Sequence, residues 1–566
     1  MARIIRINLG QTSVSYEAVP EAYELLGGRS LCSAIITKEV PPECEALGKD
    51  NKLVFAPGLL ADIAVSSVHR ISVGGKSPLT KGIKESNAGG QVARMMARLG
   101  IKALIVEGKS ISGGLLALRL DRNGVEILEA GFLQGLKASE CAQRIKEKHG
   151  EHVGMILVGP AGERRLLAGA IILTDKDGVP ARFAARGGLG AVMGSKGLKA
   201  IIVDDRGTRP VKPRNASAFK VAKKRYALAL SRNPVTSEIQ RNFGTTAMVD
   251  VTQELGGLPT RNFSTGRTEN AHKINGPALR KRILERGGDP GHACVTGCTI
   301  RSSNIYVDRQ GKPLVRSLEY ETIVMCGTNC GIDELDDIAE INRFCNEFGL
   351  DTIEIGGSLG IAMEAGLLRF GDAEGAKRLL NEIETGTVTG RMMGNGAAIT
   401  GTVLGVERIP AVKGQMMPGY DPRAIKGHGV TYATSPMGAD HTAGMTIREG
   451  LDQSSHLGQA ESSRTMQMIA VIYDSLGVCL FTNPAVRRDL NLLVDLVNSC
   501  FGVDLDLDDL WAMARKTLLT EVEFNRAGGL GPARDRLPGM FIEEVLDSSG
   551  TVFDVPNEQL DAVTSW

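Results

Sequence analysis

Three groups of side chains in this chain have the types and spacing to do chemistry. The first is thiol: Cys294-Val-Thr-Gly-Cys298 lies in a loop opened by Gly287-Gly-Asp-Pro-Gly-His, and a distant Cys479 could complete a set. Two close thiolates and one remote one are a common way to hold an iron–sulfur cluster, and the competing reading is a pair of ordinary buried thiols. The second is a six-residue pattern that occurs twice, as Asn346-Glu-Phe-Gly349-Leu-Asp351 and Asp474-Ser-Leu-Gly477-Val-Cys479. It predicts two similarly built segments facing a common object. The third is a carboxylate and an imidazole, Glu321 in Leu318-Glu-Tyr-Glu-Thr322 and His441 in Gly438-Ala-Asp-His441. Proton transfer near neutral pH needs such a titrating group and an orienting acid. The first two together point to a bound redox cofactor; for the third, a structural role is the plainer reading.

Two glycine-rich stretches suit an anion. Lys76-Ser-Pro-Leu-Thr-Lys-Gly82 to Ser86-Asn87-Ala-Gly89-Gly90 runs into a helical pattern that Ser86 or Asn87 could cap, leaving backbone N–H groups free for a phosphate. Arg186-Gly187-Gly188-Leu-Gly190 to Gly194-Ser-Lys196 is similar, with spacing G-x-G-x3-G and no strand expected directly before it, so it is no dinucleotide fingerprint. Tight turns are the plainer reading of both. The nearby Arg70 and Arg186 favour a phosphate-bearing cofactor.

The elements that must position these groups divide near residue 206. Upstream, short strands alternate with glycine turns: Arg3–Leu9, Lys52–Ala56, Ala103–Glu107, Leu115–Leu120, Gly154–Val158 and Ala200–Val203, with one clear helix over Gly90–Leu99. The polar, two-proline run from Arg206 to Arg214 marks a boundary. Downstream, apolar residues at three- and four-residue spacing predict helices over Phe219–Ser231, Asp333–Phe348, Ala373–Thr385 and Asn491–Phe501. A long irregular stretch is expected over 400–445, and a short strand with a polar end after Gly550. Cys326, Cys330, Cys345 and Cys500 fall in apolar periods and read as core. The expected fold class is α+β: a β-rich base domain (1–206) followed by two mostly helical domains (207–415 and 416–566).

Bulk properties narrow the function classes. The 566 residues carry 66 basic and 65 acidic side chains, which leaves no overall footprint for nucleic acid or an anionic membrane. Sixty-nine glycines and 4% aromatics suit a loop-rich fold whose backbone approaches a ligand closely. No apolar run is long enough to span a membrane, and the ten scattered cysteines do not form a disulfide framework, so a cytoplasmic location is expected.

In this order, the pieces resemble the aldehyde ferredoxin oxidoreductase family of tungsten, sometimes molybdenum, bis-pterin enzymes. The resemblance is carried by Leu26-Gly-Gly-Arg29, Ser77-Pro-Leu-Thr80, Ser86-Asn-Ala-Gly-Gly90, Gly159-Pro-Ala-Gly-Glu163, Ala191 to Ala200, Glu319-Tyr-Glu-Thr322, Tyr432-Ala-Thr434 and the paired motifs. It implies a bis-pterin cofactor with magnesium, resting on the β-rich base and covered by the helical domains. Arg70, Asn87, Gly89, Arg186 and Gly187 would then lie near the pterins and their phosphates. Asn346, Asp351, Asp474, Leu476 and Gly477 would contact the pterin rings. Glu321 and His441 would stand beside the metal, with Tyr420 orienting a substrate oxygen.

For the cluster, the resemblance implies a 4Fe–4S group with Cys294, Cys298 and Cys479 as ligands. The family's local motif is C-x2-C-x3-C, whereas this chain reads Cys294-x3-Cys298-x3-Ser302. The cluster is therefore expected as 4Fe–4S with an oxygen ligand, as a three-iron form, or as absent; Ser302 and His292 are the candidate replacements. Asn346 stands where some relatives carry an acid, and Met437 where an arginine is common. The implied reaction interconverts an aldehyde and its carboxylic acid, with ferredoxin or a dedicated iron–sulfur subunit as electron partner and a homo-oligomer as the assembly. Two alternatives stand beside it: a family member acting on an acyl thioester or hydroxy acid, and a non-redox pterin carrier.

Overall fold

A computed structural model describes residues 2–565 except Ser112. The N-terminal third forms two six-stranded sheets. In the first, β1 (Arg3–Asn8), β2 (Ser13–Ala18), β3 (Leu53–Pro57), β4 (Ile71–Lys76), β5 (Ile83–Ala88) and β6 (Ile101–Glu107) lie in the order β2-β1-β6-β3-β4-β5. In the second, β7 (Leu116–Asp121), β8 (Gly124–Glu129), β9 (Gly154–Val158), β10 (Ile171–Thr174), β11 (Pro180–Ala184) and β12 (Leu198–Val203) lie in the order β11-β10-β9-β12-β7-β8.

Each sheet has one parallel pair, β1 with β6 and β12 with β7; the other pairings are antiparallel. Central strands such as Leu-Val-Phe-Ala-Pro (β3) and Gly-Met-Ile-Leu-Val (β9) are buried along their whole length, because both faces are covered. The edge strand β2 is largely exposed and carries polar residues at alternate positions. Ile5, Phe55 and Leu104 from one sheet share a core with Ile156, Val158 and Ile201 from the other.

Residues beyond 206 are mainly helical, as the apolar spacing predicts: Ala216–Arg232, Leu335–Phe348, Ala373–Thr385 and Asn491–Phe501 are helices. Cys326, Cys330, Cys345 and Cys500 are buried in apolar clusters.

Several local expectations need correction. The helix expected over Gly90–Leu99 runs only over Val92–Arg98, and neither Ser86 nor Asn87 caps it; both lie within β5. A strand, β11, does lead directly into Arg186-Gly187. Its proline and arginine weaken the strand signal, but hairpin pairing with β10 overrides that. The stretch 400–445 is not irregular throughout: it holds a small hairpin (Ala411–Val412 with Gln415–Met416) and the helix Lys426–Thr434. That helix is buried on every side, so it shows no amphipathic period to read. The tail ends in a helix, Asn557–Val563, anchored by buried Leu560 and Val563. A three-stranded sheet (Asp289–His292, Ser303–Val307, Pro313–Val315) sits inside the helical part and presents the Cys294–Ser302 segment as a loop.

Candidate redox site

Both copies of the paired motif are helix ends docked on the sheets in the same way. Gly349 terminates the helix Leu335–Phe348 with φ +77°, and Gly477 terminates Gln459–Leu476 with φ +77°. Gly349 lies against Gly159, just after β9, and Gly477 lies against Gly58, just after β3. A Cβ on Gly58 would stand 2.2 Å from the Gly477 Cα, so two backbones meet where no side chain fits. The base domain holds the motifs by equivalent bonds: Asp351 N donates to Ala168 O and Ala170 N to Gly349 O, while Cys479 N donates to Ser67 O and Arg70 N to Gly477 O. In the first copy Asp351 caps the next helix, accepting from Ile353 N at 3.0 Å.

Asp474, in the second copy, ends a partly buried polar chain. It accepts from Asn87 Nδ2 at 3.0 Å, and Asn87 accepts from Arg70 Nε through its side chain and from Arg70 Nη2 through its carbonyl. On the other side, Arg29 Nη1 is 3.9 Å from Asp474 and forms a two-pronged pair with Glu521, at 3.0 and 2.7 Å. Burial, reinforced by Glu85, raises the Asp474 carboxyl well above the usual range.

A cavity of about 280 Å3 opens beside this chain. Arg70, Gly89, Cys294, Cys298, Ser302, Asn346 and Cys479 all line it, so five distant segments converge there. A Cβ on Gly89 would come within 3.4 Å of Cys294 Sγ and 3.6 Å of Arg70 Nη1, so glycine keeps the wall open. Burial raises the Cys294 thiol, against Arg182, and pushes the Cys479 thiol up to about 11, against Arg70.

The three thiols do not converge on one ion. Among the described residues, only Asp175, Asp177 and His292 bring ligand atoms within 4.8 Å of one another. Thiols that share a cavity but stand apart fit a polynuclear cluster better than a single metal. His292 is turned away: its Nε2 is 3.4 Å from Asp175, and it does not line the cavity. Ser302 does line it, so of the two candidate replacements only Ser302 shares the cavity with the thiols. Arg182, which the sequence reading did not single out, bonds Ser303 Oγ through Nη1 at 2.8 Å while its Nε and Nη2 are buried without partners. A cavity with this unsatisfied cation and Arg70 suits an anionic group.

Arg186 is placed differently from Arg70. Its nitrogens reach Asp351 Oδ2 at 3.2 Å, Ala439 O at 2.6 Å and Met416 O at 2.6 Å, so the protein itself occupies the guanidinium. Gly187 holds φ +80°, and a Cβ there would strike the Lys84 stem. Lys84 in turn pairs with Asp440 at 3.0 Å. Burial alone would raise the Asp440 carboxyl, but Lys84 and Arg186 outweigh it and hold it well below the usual range.

Glu321 and His441 form a second, partly buried group. His441 Nδ1 is 3.3 Å from Glu321 Oε1, and Gly419 N donates to Glu321 Oε2 at 2.8 Å. Neither facing atom has a well-aligned partner, so both remain available to a third group. Burial raises the Glu321 carboxyl, against His441. The Tyr420 ring stacks between Tyr320 (4.9 Å) and His428 (4.7 Å), with His441 at 5.5 Å. His428 was not anticipated; its Nδ1 meets Thr446 Oγ1 at 3.1 Å, its Nε2 is orphaned, and burial pushes it down to about 3. The signal that could have found it is the Gly427-His428-Gly429 triplet, whose glycines admit close neighbours on both sides.

These features can be set beside known proteins. Residues 4–205 match the family described as aldehyde ferredoxin oxidoreductase, N-terminal domain, and residues 221–564 match its domains 2 and 3. The tungsten-containing aldehyde ferredoxin oxidoreductase of Pyrococcus horikoshii is 32% identical over 96% of this chain and 91% of its own length. The aliphatic sulfonate oxidoreductase WOR-like subunit of Pyrococcus furiosus is 25% identical over 89% of this chain and 81% of its own. A solved structure, the active site complex BamBC of benzoyl coenzyme A reductase with 1,5-dienoyl-CoA, superposes with a TM-score of 0.82. It covers 99% of this chain and 93% of the other at 19% identity, a likeness of fold. The α+β fold and buried site are thus those of a cofactor-dependent oxidoreductase scaffold. The chain belongs to the aldehyde ferredoxin oxidoreductase family. That family is one of tungsten–pterin enzymes. No helix among the described residues is long and apolar enough to cross a membrane.

Proposed function

We propose that this chain interconverts an aldehyde and its carboxylic acid and passes the electrons on singly to an iron–sulfur acceptor. The reaction balances as aldehyde plus water giving acid, two protons and two electrons. The observation that carries the reading is the partly buried Glu321–His441 pair, whose two facing atoms are buried, 3.3 Å apart and unsatisfied. Such a pair can take up a proton at His441 Nδ1 or Glu321 Oε1 as water adds to the carbonyl carbon. Tyr420, held in its ring stack, is the hydroxyl that would orient the substrate oxygen.

The residues fit the groups the family implies. Arg70, Asn87, Gly89, Asn346 and Asp474, with the unsatisfied Arg182, would hold the pterins and their phosphates, and magnesium would accompany those phosphates. Asp351, Leu476, Gly477, Arg186 and Gly187 would shape the same bed. Cys294, Cys298 and Cys479, with Ser302, would hold an iron–sulfur cluster. When bound, the pterin-held metal accepts two electrons and the cluster passes them on one at a time.

The test is elemental analysis of anaerobically purified protein, followed by viologen reduction with a panel of aldehydes. Roughly one tungsten or molybdenum per chain and dye reduction with an aldehyde support the reading. Metal without reduction by any aldehyde removes the aldehyde assignment. A second reading, the same chemistry on another substrate through a dedicated subunit, is favoured by the names of the sulfonate-acting and coenzyme A-acting relatives.

A further inference from the structure

The Cys294–Ser302 loop is a wall shared by two spaces. Its inner side, with Cys294, Cys298 and Ser302, lines the cavity described above. Its outer side, with Thr296, Gly297 and Thr299, lines a surface groove of about 720 Å3. The wall is pinned from below: Thr299 N donates to Ser66 Oγ at 3.0 Å, and Ser67 Oγ is 3.5 Å from Cys298 Sγ. His69 and Ile300 touch both spaces.

The groove has an apolar floor and a basic rim. Ile63, Val65, Tyr226 and Leu230 are buried beneath it, and Leu228 is 39% exposed at its edge. Its charged lining residues are Arg94, Lys223, Lys224 and Arg241, with no carboxylate. Arg94 is compensated by Asp62 at 3.3 Å. On the same helix, Arg225 is paired with Asp489 and Asp495, whereas Lys223 and Lys224 have no carboxylate within 4 Å among the described residues. In a chain of net charge +1, this local surplus is not a by-product of composition.

We infer that this groove is the docking surface for an acidic iron–sulfur electron carrier, which takes electrons through the Cys294–Ser302 wall. The inference rests on the redox reading and adds where the electrons leave and what charge their acceptor bears. Electron tunnelling falls steeply with distance, so the outlet belongs where a single loop lines both spaces. The uncompensated lysines supply the long-range attraction that steers an acidic protein, and the apolar floor supplies contact area. A nucleic acid would also answer to the basic rim, but nothing in the groove stacks bases: its two rings, Tyr226 and His69, are both buried.

The test is titration of the holoenzyme with a purified acidic 4Fe–4S ferredoxin at low and high salt. The double variant Lys223→Glu/Lys224→Glu is compared with Lys49→Glu/Lys148→Glu, two exposed lysines outside the groove. The groove variant is expected to weaken binding about tenfold or more at low salt and to flatten the salt dependence. Viologen turnover should be unchanged, because a small dye needs no docking. Equal binding by both variants, or tighter binding of a single-stranded RNA oligonucleotide than of ferredoxin, overturns the inference. Loss of viologen turnover in the unaltered enzyme would instead bring down the redox reading, so the two failures are distinguishable.

Discussion

Replacing Glu521 by Gln removes the counter-charge of a guanidinium that has almost no access to solvent. Arg29 is 2% exposed, and its two bonds to Glu521 are 3.0 and 2.7 Å long. At 2.7 Å, with an effective dielectric constant near 20, the gross attraction is about 6 kcal/mol. Breaking such a pair from one side costs about 3–5 kcal/mol, because the remaining charge stays buried. The nearest replacement, Asp474, is 3.9 Å away and its carboxyl is itself raised by burial, so the loss should propagate to the second motif. The melting midpoint is expected to fall by roughly 6–10 °C, at about 2 °C per kcal/mol for a long chain. The double variant Arg29→Met/Glu521→Met should recover most of that loss, since a buried pair replaced by apolar residues is often near neutral. Differential scanning calorimetry of both proteins with bound cofactor decides the matter. If the double variant is as unstable as the sum of the two single changes, the pair is not coupled and the reasoning is wrong.

Three other outcomes are expected. His441→Ala should lower turnover by about 10²–10⁴-fold while tungsten or molybdenum content stays the same; loss of metal in that variant would make the imidazole structural. Cys479→Ser should remove visible iron–sulfur absorbance and lower iron per chain, and an unchanged spectrum would show that no cluster depends on this thiol. Acid should destabilise the protein through buried neutral histidines. Burial holds His428 down at about 3 and, helped by Arg94, His69 at about 4, against about 6.5 when unfolded. The unfolded chain therefore binds more protons below pH 6.5. This contribution is full above that pH and is lost as pH falls toward 4 and 3. His428→Gln should narrow the stability gap between pH 7 and pH 4.5 by about 2–3 kcal/mol, measured by denaturant titration at each pH. An unchanged gap would mean the imidazole is protonated in the folded state.

What was legible in the sequence was whatever depends on spacing along one element. The amphipathic helices show because one face is wet, and the paired motif shows because a helix terminus needs glycine at one fixed offset from its last turn. The loop thiols Cys294 and Cys298 were legible for the same reason, since they stand close along the chain. What stayed hidden depends on contact between distant elements. Arg182 sits on a strand whose proline masks it, and only the fold turns its guanidinium into the cavity. The Arg29–Glu521 pair spans 492 positions, and no pattern along the chain announces it. The helix Lys426–Thr434 was missed because complete burial erases periodicity. Arg186 makes the same point from the other side: its glycine-rich setting reads as a free anion site, yet Asp351, Ala439 and Met416 occupy all its nitrogens. It joins the loop after β11 to both helical segments, which makes it a clamp on the bed of the site. Residue type and local glycine context thus locate a site, while the distribution of partners decides which of its cations remain free for a ligand. Here those are Arg182 and, through Nη1, Arg70.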